Sequence, residues 1–262
     1  MKKKICLLLA AVLCVLMSTA ALAEGTSKLN DFANRLKKVS EKKPAAEETA
    51  AEPVEDNSYG PALRIDDPFF QKVRSSAYLQ ENDYSREANV MIEVKNVSGR
   101  TLYPDEVSII AYNAAGEVID EETYANYGPD MVADGGSLFI WDWFYGFDAP
   151  IAEISYFEVK VESETSSYNE YAKIDAQALV NDGIAYALVE NTLDSDIYGV
   201  CATIAIENEE GNLLDVCSIT TGNAVGVFPG SVLVLRDNAK DYAADQALMQ
   251  GSATAYVLHQ LD

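Results

Sequence analysis

Apolar and polar residues alternate along much of the chain beyond residue 58. Residues 107–112 read VSIIAY, with apolar side chains at 107, 109 and 111, and residues 202–207 read ATIAIE, with apolar side chains at 202, 204 and 206. A period of two is the pattern of a β-strand that presents one face to a hydrophobic core. The spacing therefore predicts a β-strand in each of these two segments.

The two segments belong to an internal repeat. Residues 94–142 align with residues 189–237 at a constant offset of 95 without a gap, and 11 of the 49 positions are identical. Random pairing would give about three identities, so the match indicates a duplication. The identical pairs are Val94/Val189, Asn96/Asn191, Tyr103/Tyr198, Ile109/Ile204, Asn113/Asn208, Gly116/Gly211, Asp120/Asp215, Val132/Val227, Gly135/Gly230, Leu138/Leu233 and Asp142/Asp237.

Turn signals occur at matching places in the two copies. Each alternating strand ends in Asn-x-x-Gly, at Asn113–Gly116 and at Asn208–Gly211. This spacing predicts a type I turn followed by a glycine in the left-handed conformation, which closes a three-residue hairpin. A second turn, Asp134-Gly135 or Pro229-Gly230, precedes another apolar strand in each copy.

The arrangement of strands and turns is typical of antiparallel sandwiches. Each copy closes with a late strand, at residues 156–162 and 253–259, and neither copy contains a long helical pattern. Hairpins with closely spaced turns in units of about 90 residues favour a sandwich. We therefore predict an all-β protein with two tandem immunoglobulin-like antiparallel β-sandwiches, at residues 68–165 and 166–262.

The order of these motifs resembles that of a known family. Val-x-Asn is followed by the Asn-x-x-Gly-x-Val/Leu hairpin, then by Pro-Gly and then by a closing strand, although the first copy has Asp134 where the second has Pro229. This order is similar to the FxLYD-like family of bacterial envelope proteins, across Ala77–Glu162 and Lys173–His259. The resemblance implies small immunoglobulin-like sandwiches behind a signal or lipoprotein anchor, and it implies no catalytic residues.

The N-terminus has the pattern of a secretory signal peptide. Lys2–Lys4 is basic, Ile5–Met17 is apolar, and Ala21 and Ala23 form the A-x-A pattern that signal peptidase accepts. We predict that residues 1–23 are removed near Ala23, which leaves a secreted or envelope-associated protein. A retained membrane anchor is the alternative, although a membrane helix needs about 20 apolar residues and this run is shorter.

Two segments separate the signal from the strands. Residues 24–43 carry Leu29, Phe32, Leu36 and Val39 at helical spacing, opposite a basic face, so they predict a short amphipathic helix. This helix would either dock on the folded body or contact anionic lipid or wall polymer. Residues 44–67 are an acidic Pro/Ala/Glu-rich linker with too little apolar bulk in its first part to fold alone.

Charge restricts the partners of the folded body. The chain has a formal net charge of −23, and residues 58–262 carry 34 acidic residues against 10 basic ones. Such a body repels nucleic-acid phosphates and anionic membranes. We therefore expect no nucleic-acid partner, membrane contact only through the signal segment or the basic helix, and an envelope glycan or protein as the partner. The pattern leaves the oligomeric state open.

Catalytic motifs are scarce in the sequence. Its one histidine, His259, lies near the end of the last strand, no nucleophile stands in a recognisable turn, and no glycine-rich phosphate loop occurs. A zinc site built from several histidines is excluded by their number. Carboxylates are abundant, so a small hydrolase would need two acids facing each other in a cleft. We therefore expect no enzymatic activity, with a carboxylate hydrolase as the least favoured alternative.

Calcium is the one cofactor that the sequence suggests. Asp194 and Asp196 begin like a calcium loop, but Tyr198 and Ala205 stand where further oxygen ligands belong. The segment is therefore a weak calcium candidate and otherwise a polar strand connection.

The two cysteines outside the signal flank the second Asn-x-x-Gly hairpin. If Asn208 pairs with Asn212, Thr203 lies opposite Cys217, and Cys201 lies one diagonal step away on the same side of the sheet. A disulfide between Cys201 and Cys217 would then need some distortion. The sequence leaves the disulfide and two free thiols both open.

An aromatic run, Trp141–Phe147, distinguishes the first copy from the second, which has Arg236–Lys240 in its place. These side chains could fill the core and pack against the neighbouring unit, or they could form an exposed platform for sugar rings or a partner's apolar residues. The ligand-contact candidates are Trp141, Trp143, Phe144 and Tyr145.

These observations favour one function over two others. We expect an exported, non-catalytic binding module that uses the aromatic run as its contact surface. A structural spacer or assembly component of the envelope, with no ligand of its own, is the first alternative.

Overall fold

The structure is a computed structural model, and it describes residues 58–81, 84–166, 170–181, 183–238 and 251–261 of the 262-residue chain. The predicted signal peptide, the predicted helix at 24–43 and the first part of the linker lie outside the described residues. Within them the chain is all-β, with strands β1 to β16 and a short 3-10 helix at Ile151–Glu153. The prediction of an all-β protein with antiparallel sheets is confirmed.

Residues 58–164 form two sheets. Sheet I has the order β1 (Ser58–Tyr59), β3 (Phe70–Glu81), β4 (Arg86–Asn96), β8 (Ser137–Tyr145) and β7 (Asn126–Gly128). Sheet II has the order β2 (Ala62–Ile65), β9 (Tyr156–Glu164), β5 (Tyr103–Tyr112) and β6 (Val118–Glu122). The pairs β1–β3 and β2–β9 are parallel, and the other neighbours in these sheets are antiparallel.

Residues 171–260 form two further sheets, in which every neighbour is antiparallel. Sheet III has the order β11 (Ala176–Asn181), β12 (Ile184–Glu190) and β15 (Val232–Asn238). Sheet IV has the order β10 (Tyr171–Ile174), β16 (Ser252–Gln260), β13 (Tyr198–Glu207) and β14 (Leu213–Thr220). We call residues 58–164 the first unit and residues 171–260 the second unit. Strands β8, β9, β15 and β16 confirm the apolar strands predicted at the corresponding places.

Alternating side chains build the cores between the sheets. Ile92 of β4, Ile109 of β5 and Phe157 of β9 are fully buried in a core between sheets I and II. In the second unit, Val189 of β12 and Ile204 of β13 are fully buried in the same way. Each fully buried side chain of this size stabilises the fold by about 1.5–3 kcal/mol, so burial along every second position holds the sheets together.

The Asn-x-x-Gly hairpins have the predicted glycine conformation in both copies. The Gly116 N–H donates to the Asn113 carbonyl at 3.1 Å, and the Gly211 N–H donates to the Asn208 carbonyl at 3.1 Å. The two glycines have φ of +80° and +85°, which glycine adopts without the strain that a Cβ would bring. Each asparagine Oδ1 also accepts the N–H groups two and four residues later, at 2.9–3.0 Å.

A β-bulge accompanies each of these hairpins. The pairing of β5 with β6 shifts between Ala111 and Tyr112, and the pairing of β13 with β14 shifts between Ile206 and Glu207. The two bulges lie at equivalent positions of the repeat. One extra residue on one strand moves all later pairs by one position and so changes which side chains share a face.

Because of this bulge, the predicted register around the cysteines is wrong. Cys217 lies opposite Ile204, and Thr203 lies opposite Ser218, so Cys201 and Cys217 point to opposite faces of sheet IV. Both thiols are free, and no disulfide joins them. The Cys201 Sγ lies 3.3 Å from the Thr220 hydroxyl, whereas Cys217 is buried at 7% exposure. Burial raises the pKa of the Cys201 thiol.

We expect thiol titration of residues 24–262 to show this directly. Denatured protein should react with two equivalents of thiol reagent without any reductant, because the sheet separates the two sulfurs. In the folded protein Cys201 should react before Cys217, because only Cys201 is partly exposed. A titration that finds no thiols before reduction and two afterwards would contradict this register.

A buried asparagine explains the Val-x-Asn motif of the repeat. The Asn96 Nδ2 donates to the carbonyls of Arg100 and Val132 at 2.8 and 2.9 Å. The Asn96 Oδ1 accepts the Ser98 N–H at 2.9 Å, and the Asn96 carbonyl accepts the Gly135 N–H at 2.8 Å. The side chain is fully buried. One asparagine therefore fixes the two loops that cross the end of the first unit.

Asn191 makes the same contacts in the second unit. Its Nδ2 donates to the carbonyls of Ser195 and Val227 at 2.8 and 2.7 Å, and its Oδ1 accepts the Leu193 N–H at 3.0 Å. Its carbonyl accepts the Gly230 N–H at 2.8 Å. The same bonds therefore recur at an offset of 95, which gives a physical reason for the identities at the asparagine and at the following glycine turn.

Candidate functional site: an aromatic ledge beside the junction of the two units

The outer face of sheet I packs against the second unit. The hydrophobic core of the second unit extends onto this face. It includes three side chains of sheet I that point away from the first core: Tyr78, Met91 and Phe139. The ring of Phe139 lies 5.1 Å from the ring of Tyr256 on β16, and the Tyr78 hydroxyl donates to the Leu213 carbonyl at 2.7 Å. We call this contact between the outer faces of sheets I and IV the junction.

Backbone also approaches closely at the junction. A Cβ on Gly128, at the end of β7, would lie 2.2 Å from the Thr203 Oγ1 on β13. A side chain at residue 128 would therefore push the two units apart, and glycine permits their close approach.

A cluster of charged side chains also joins the two units at the junction. It was not predicted from the sequence. The Arg74 Nε lies 2.6 Å from the Glu93 Oε2, and the Arg74 Nη1 donates to Glu207 and to the Gly211 carbonyl. Ser137 donates to the second oxygen of Glu93 at 2.6 Å. We call Arg74, Glu93 and Glu207 the junction cluster. Its members are far apart in the sequence, so no local sequence motif could have predicted the cluster.

Electrostatics favour the charged form of this arginine. Burial on its own would lower the pKa of Arg74, but the hydrogen bond to Glu207 and the charge of Glu93 outweigh it and leave the pKa raised. The Arg74 side chain is 17% exposed and the Glu93 side chain 9% exposed. The Arg74–Glu93 pair is therefore largely desolvated, and the Glu207 side chain, 29% exposed, joins it from the second unit.

Strand β8 divides the predicted aromatic run between two faces. Leu138, Ile140 and Phe144 point into the first core, whereas Phe139, Trp141, Trp143 and Tyr145 point to the outer face. Phe144 is 4% exposed and stacks on Phe147 at 5.4 Å. The prediction that Phe144 contacts a ligand at the surface is therefore wrong, and the alternation with Ile140 was the signal that could have shown this.

The outward aromatics form a series of increasing exposure. Phe139 is fully buried in the junction. Trp141 and Trp143 are half-buried against the core of the second unit, and Tyr145 is 62% exposed. The Trp143 and Tyr145 rings stack at 4.2 Å with 29° between their planes. We call Trp143 and Tyr145 the aromatic ledge. Two of the predicted contact residues thus share a stacked pair beside the junction, and Trp141 lies at its buried end.

Polar groups surround the ledge. Asn89 lies opposite Trp143 and Glu87 lies opposite Tyr145 in the β4–β8 pairing. Asn89 is 4% exposed, and its Nδ2 has no hydrogen-bond partner among the described residues. Partial desolvation and the charges of Glu87 and Asp142 raise the pKa of the Tyr145 phenol. The phenol therefore stays neutral at neutral pH and can both donate and accept a hydrogen bond.

Asp142 fixes the backbone beneath the ledge. One of its carboxylate oxygens accepts the Trp143 N–H at 2.6 Å, and the other accepts the backbone N–H and the side-chain amide of Asn126, each at 3.1 Å. These bonds tie the edge strand β7 to β8. The Asp142 carboxylate therefore holds in place the strand that carries the ledge.

Two cavities lie outside the ledge. The first, of about 310 Å³, lies between residues 129–137 of the first unit and Lys173 and Tyr256–Leu258 of the second. Asp134 is the one acid in its lining, and the Asp134 Oδ1 accepts the Gly99 N–H at 3.0 Å. The second, of about 410 Å³, is lined by Tyr198, Asn223, Gln260 and Leu261. Neither lining holds the two facing carboxylates that a glycoside hydrolase needs.

The remaining predicted site residues lie apart from the ledge. Asp194 and Asp196 lie in the loop between β12 and β13, where the Tyr198 hydroxyl donates to Asp196 at 3.4 Å. Among the described residues no three His, Cys, Asp or Glu side chains are grouped as metal ligands. His259 is 5% exposed in β16, with its Nδ1 3.2 Å from the Gln260 carbonyl oxygen.

Comparison with known proteins adds little to this geometry. No helix within the described ranges is long and apolar enough to span a bilayer. No protein-family model matches the sequence, and no curated protein matches it. Among solved structures, red sea bream transglutaminase is similar to 69% of this chain at 12% identity, with a TM-score of 0.18. The similar region spans 30% of the transglutaminase chain, and at this TM-score the likeness supports no conclusion about activity.

Proposed function

We propose that this protein is an exported, non-catalytic binding module of the cell envelope or the extracellular space, and that the aromatic ledge is its contact surface. The observation that carries the proposal is the stacked pair of Trp143 and Tyr145, of which Tyr145 is 62% exposed. Export is supported by the signal pattern of residues 1–23.

The fold does not require an aromatic ring at these positions. The second copy has Asn238 where the first has Trp143, and Asn238 still pairs with Ile184 of β12 as Trp143 pairs with Asn89 of β4. A large ring left in water on a strand that tolerates polar residues is typical of a surface that binds. The ledge is therefore better explained by a ligand than by folding.

The ligand class follows from the chemistry of the ledge and its rim. Stacked aromatic faces suit the apolar faces of sugar rings, and Glu87 and the Tyr145 phenol offer hydrogen-bond partners at the edge. The acidic body repels phosphate-rich polymers. We therefore propose an uncharged or amino-sugar glycan of the envelope as the ligand, ahead of a protein.

We propose that the chain is a tandem pair of immunoglobulin-like sandwiches, at residues 68–165 and 166–262, of the FxLYD-like kind. The support is the recurrence of the buried asparagine, the glycine hairpin and the bulge at an offset of 95. Residues 24–43 and 44–67 would then be a basic helix and a spacer behind the signal.

A binding test can separate the ledge from the rest of the surface. Soluble peptidoglycan fragments, chito-oligosaccharides and neutral glucans would be titrated against residues 24–262, with tryptophan fluorescence as the readout. Tyr145→Ala should weaken binding about fivefold, because a stacked aromatic contact is worth about 1 kcal/mol. Its thermal stability should stay near that of the wild type, because the ring is mostly in solvent.

The matched control is Tyr124→Ala. Tyr124 is 81% exposed, lies between β6 and β7 and is not part of the stacked pair, so its loss should leave the affinity unchanged. Equal affinities for the wild type and Tyr145→Ala, or no binding to any of the three probes, would overturn the proposal. The titration is repeated with calcium and with a chelator, so that any role of the Asp194–Asp196 loop is measured in the same assay.

The second candidate function is a structural spacer. The observation that favours it is the junction itself, because the junction cluster and the Phe139–Tyr256 contact fix the two units against each other. Two units fixed against each other in this way could set a distance in the envelope without a ligand. The binding test distinguishes the two functions, because a spacer would bind none of the probes.

A further inference from the structure

The loop end of the second unit exposes four large apolar side chains. Leu193 is 44% exposed, Val225 is 42% exposed, Phe228 is 64% exposed and Leu261 is 42% exposed. We call these four residues the end patch. Single exposed apolar side chains are normal on a protein surface, whereas a group of them in one place indicates a binding surface.

Contacts among the loops bring the members of the patch to one end of the sandwich. Ile197 and Val227 exchange backbone hydrogen bonds at 3.1 and 2.9 Å, which joins the loop that holds Leu193 to the loop that holds Val225 and Phe228. Asn191 binds both loops from below. Leu261 and Tyr198 line one cavity together with Asn223 of the second loop. The loops and the chain end that carry the four side chains therefore lie at the same end of the second unit.

The fold does not account for these apolar residues. At an offset of 95, the first copy has Ser98, Asp130 and Ala133 in place of Leu193, Val225 and Phe228. The first unit nevertheless makes the same loop bonds, including the equivalent exchange between Leu102 and Val132 at 2.9 Å. Small or polar residues therefore satisfy this loop end, and the apolar residues of the second copy serve something else.

The charges around the end patch indicate the chemistry of the surface that would bind there. Asp194 and Asp196 lie in the same loop as Leu193. Among the described residues from 170 to 261, the cationic side chains are those of Lys173 and Arg236, on β10 and β15. A complementary partner therefore combines an apolar stripe with flanking cations.

We propose that the end patch is the docking site for residues 24–43 of the same chain. This segment carries Leu29, Phe32, Leu36 and Val39 at helical spacing, and its other positions include Lys28, Arg35, Lys37 and Lys38. An amphipathic helix that lays its apolar face on an apolar surface is a recurrent mode of recognition. The acids beside the patch face the cations of the segment.

Tethering favours an intramolecular contact over one between two copies. Four apolar side chains offer far less surface than the roughly 800 Å² per partner that a stable interface between proteins buries. A tethered segment does not need such an area, because its effective concentration reaches the millimolar range. Residues 44–57, which join the segment to β1, span up to about 45–50 Å when extended. The linker therefore lets the segment contact the surface of its own molecule over that distance from β1.

Amide hydrogen exchange on residues 24–262 tests the proposal. Docking should protect the loops at residues 191–199 and 221–231. The double variant Phe32→Asp, Leu36→Asp puts two charges on the apolar stripe, and amides of these loops should then exchange about tenfold faster. The matched control Asn30→Asp, Asn34→Asp adds the same charge to the other face and should leave their exchange as in the wild type. Equal exchange in all three proteins would overturn the proposal.

A reciprocal variant tests the patch from its own side. Phe228→Ser should fold, because the first copy has Ala133 at the equivalent position. Trypsin cleavage within residues 24–43 should become about tenfold faster in Phe228→Ser and stay unchanged in Tyr124→Ser. Protection that disappears on about a hundredfold dilution, together with a dimer mass at high concentration, would assign the contact to a second copy and overturn the intramolecular docking.

Discussion

Asn191→Asp should cost about 3 kcal/mol or more in the free energy of unfolding, although it changes one NH₂ group to an oxygen. Asn191 is fully buried, and its Nδ2 donates to the carbonyls of Ser195 and Val227. An ionised aspartate donates no hydrogen bond, so its oxygen would face two carbonyl oxygens in a site that is closed to the solvent. Two lost bonds and a buried charge together account for a loss of this size. Urea unfolding followed by circular dichroism measures it.

Asn208→Asp is the matched control for this substitution. Asn208 acts at its turn through Oδ1, which accepts the N–H groups of Glu210 and Asn212 at 3.0 and 2.9 Å. The aspartate keeps this acceptor, but it loses the exposed Nδ2 bond to the Glu210 carboxylate at 3.4 Å and places a like charge beside it, so the cost should be about 1 kcal/mol or less. Similar losses for the two variants would mean that the buried amide does not organise the end of the second unit.

The repeat shows which parts of such a fold can be read from sequence. Alternation at 107–112 and 202–207 and the Asn-x-x-Gly turns are local signals, since each is decided by backbone preference and by the next few residues. They gave the strands, the hairpins and the positive φ of Gly116 and Gly211 correctly. The buried role of Asn191 was not visible in the same way, because its partners come from two separate loops.

Register and packing depended on features without a local signal. Leu214 is one extra residue of β14 between the partners of Ile206 and Glu207, and it places Cys217 opposite Ile204 and so separates the two cysteines. Alternation assigns Phe144 and Tyr145 to opposite faces, but it does not tell which face the second unit covers. The aromatic ledge could therefore be predicted as a set of residues, whereas the division of that set between core, junction and solvent required the tertiary contacts.

Arg74→Met should destabilise the protein by about 3–4 kcal/mol and loosen the junction. The variant leaves Glu93 and Glu207, which both bind Arg74, close together in a largely desolvated place without their cation. Breaking a buried ion pair from one side costs this much because the remaining charge has no partner. Trp141 and Trp143 pack at the same junction, so their emission should shift to longer wavelength before global unfolding.

Lys160→Met separates this effect from a general change of charge. It also removes one positive charge, but Lys160 is 57% exposed and its contact with Glu158 is 3.6 Å long. Exposed pairs of this kind contribute at most about 1 kcal/mol, so the stability should hardly change and the tryptophan emission should stay as in the wild type. If Arg74→Met behaves like Lys160→Met, the junction does not depend on the cluster.

A second substitution on the Arg74→Met background shows where the lost free energy comes from. If the cost is the charge left behind, Glu207→Gln should restore about 1–2 kcal/mol to Arg74→Met, while the same change in the wild type should destabilise. If the cost is only a lost attraction, the second substitution should restore nothing. Opposite signs of one substitution on two backgrounds would thus establish that Arg74 holds the units together by neutralising two acids that the fold has placed side by side.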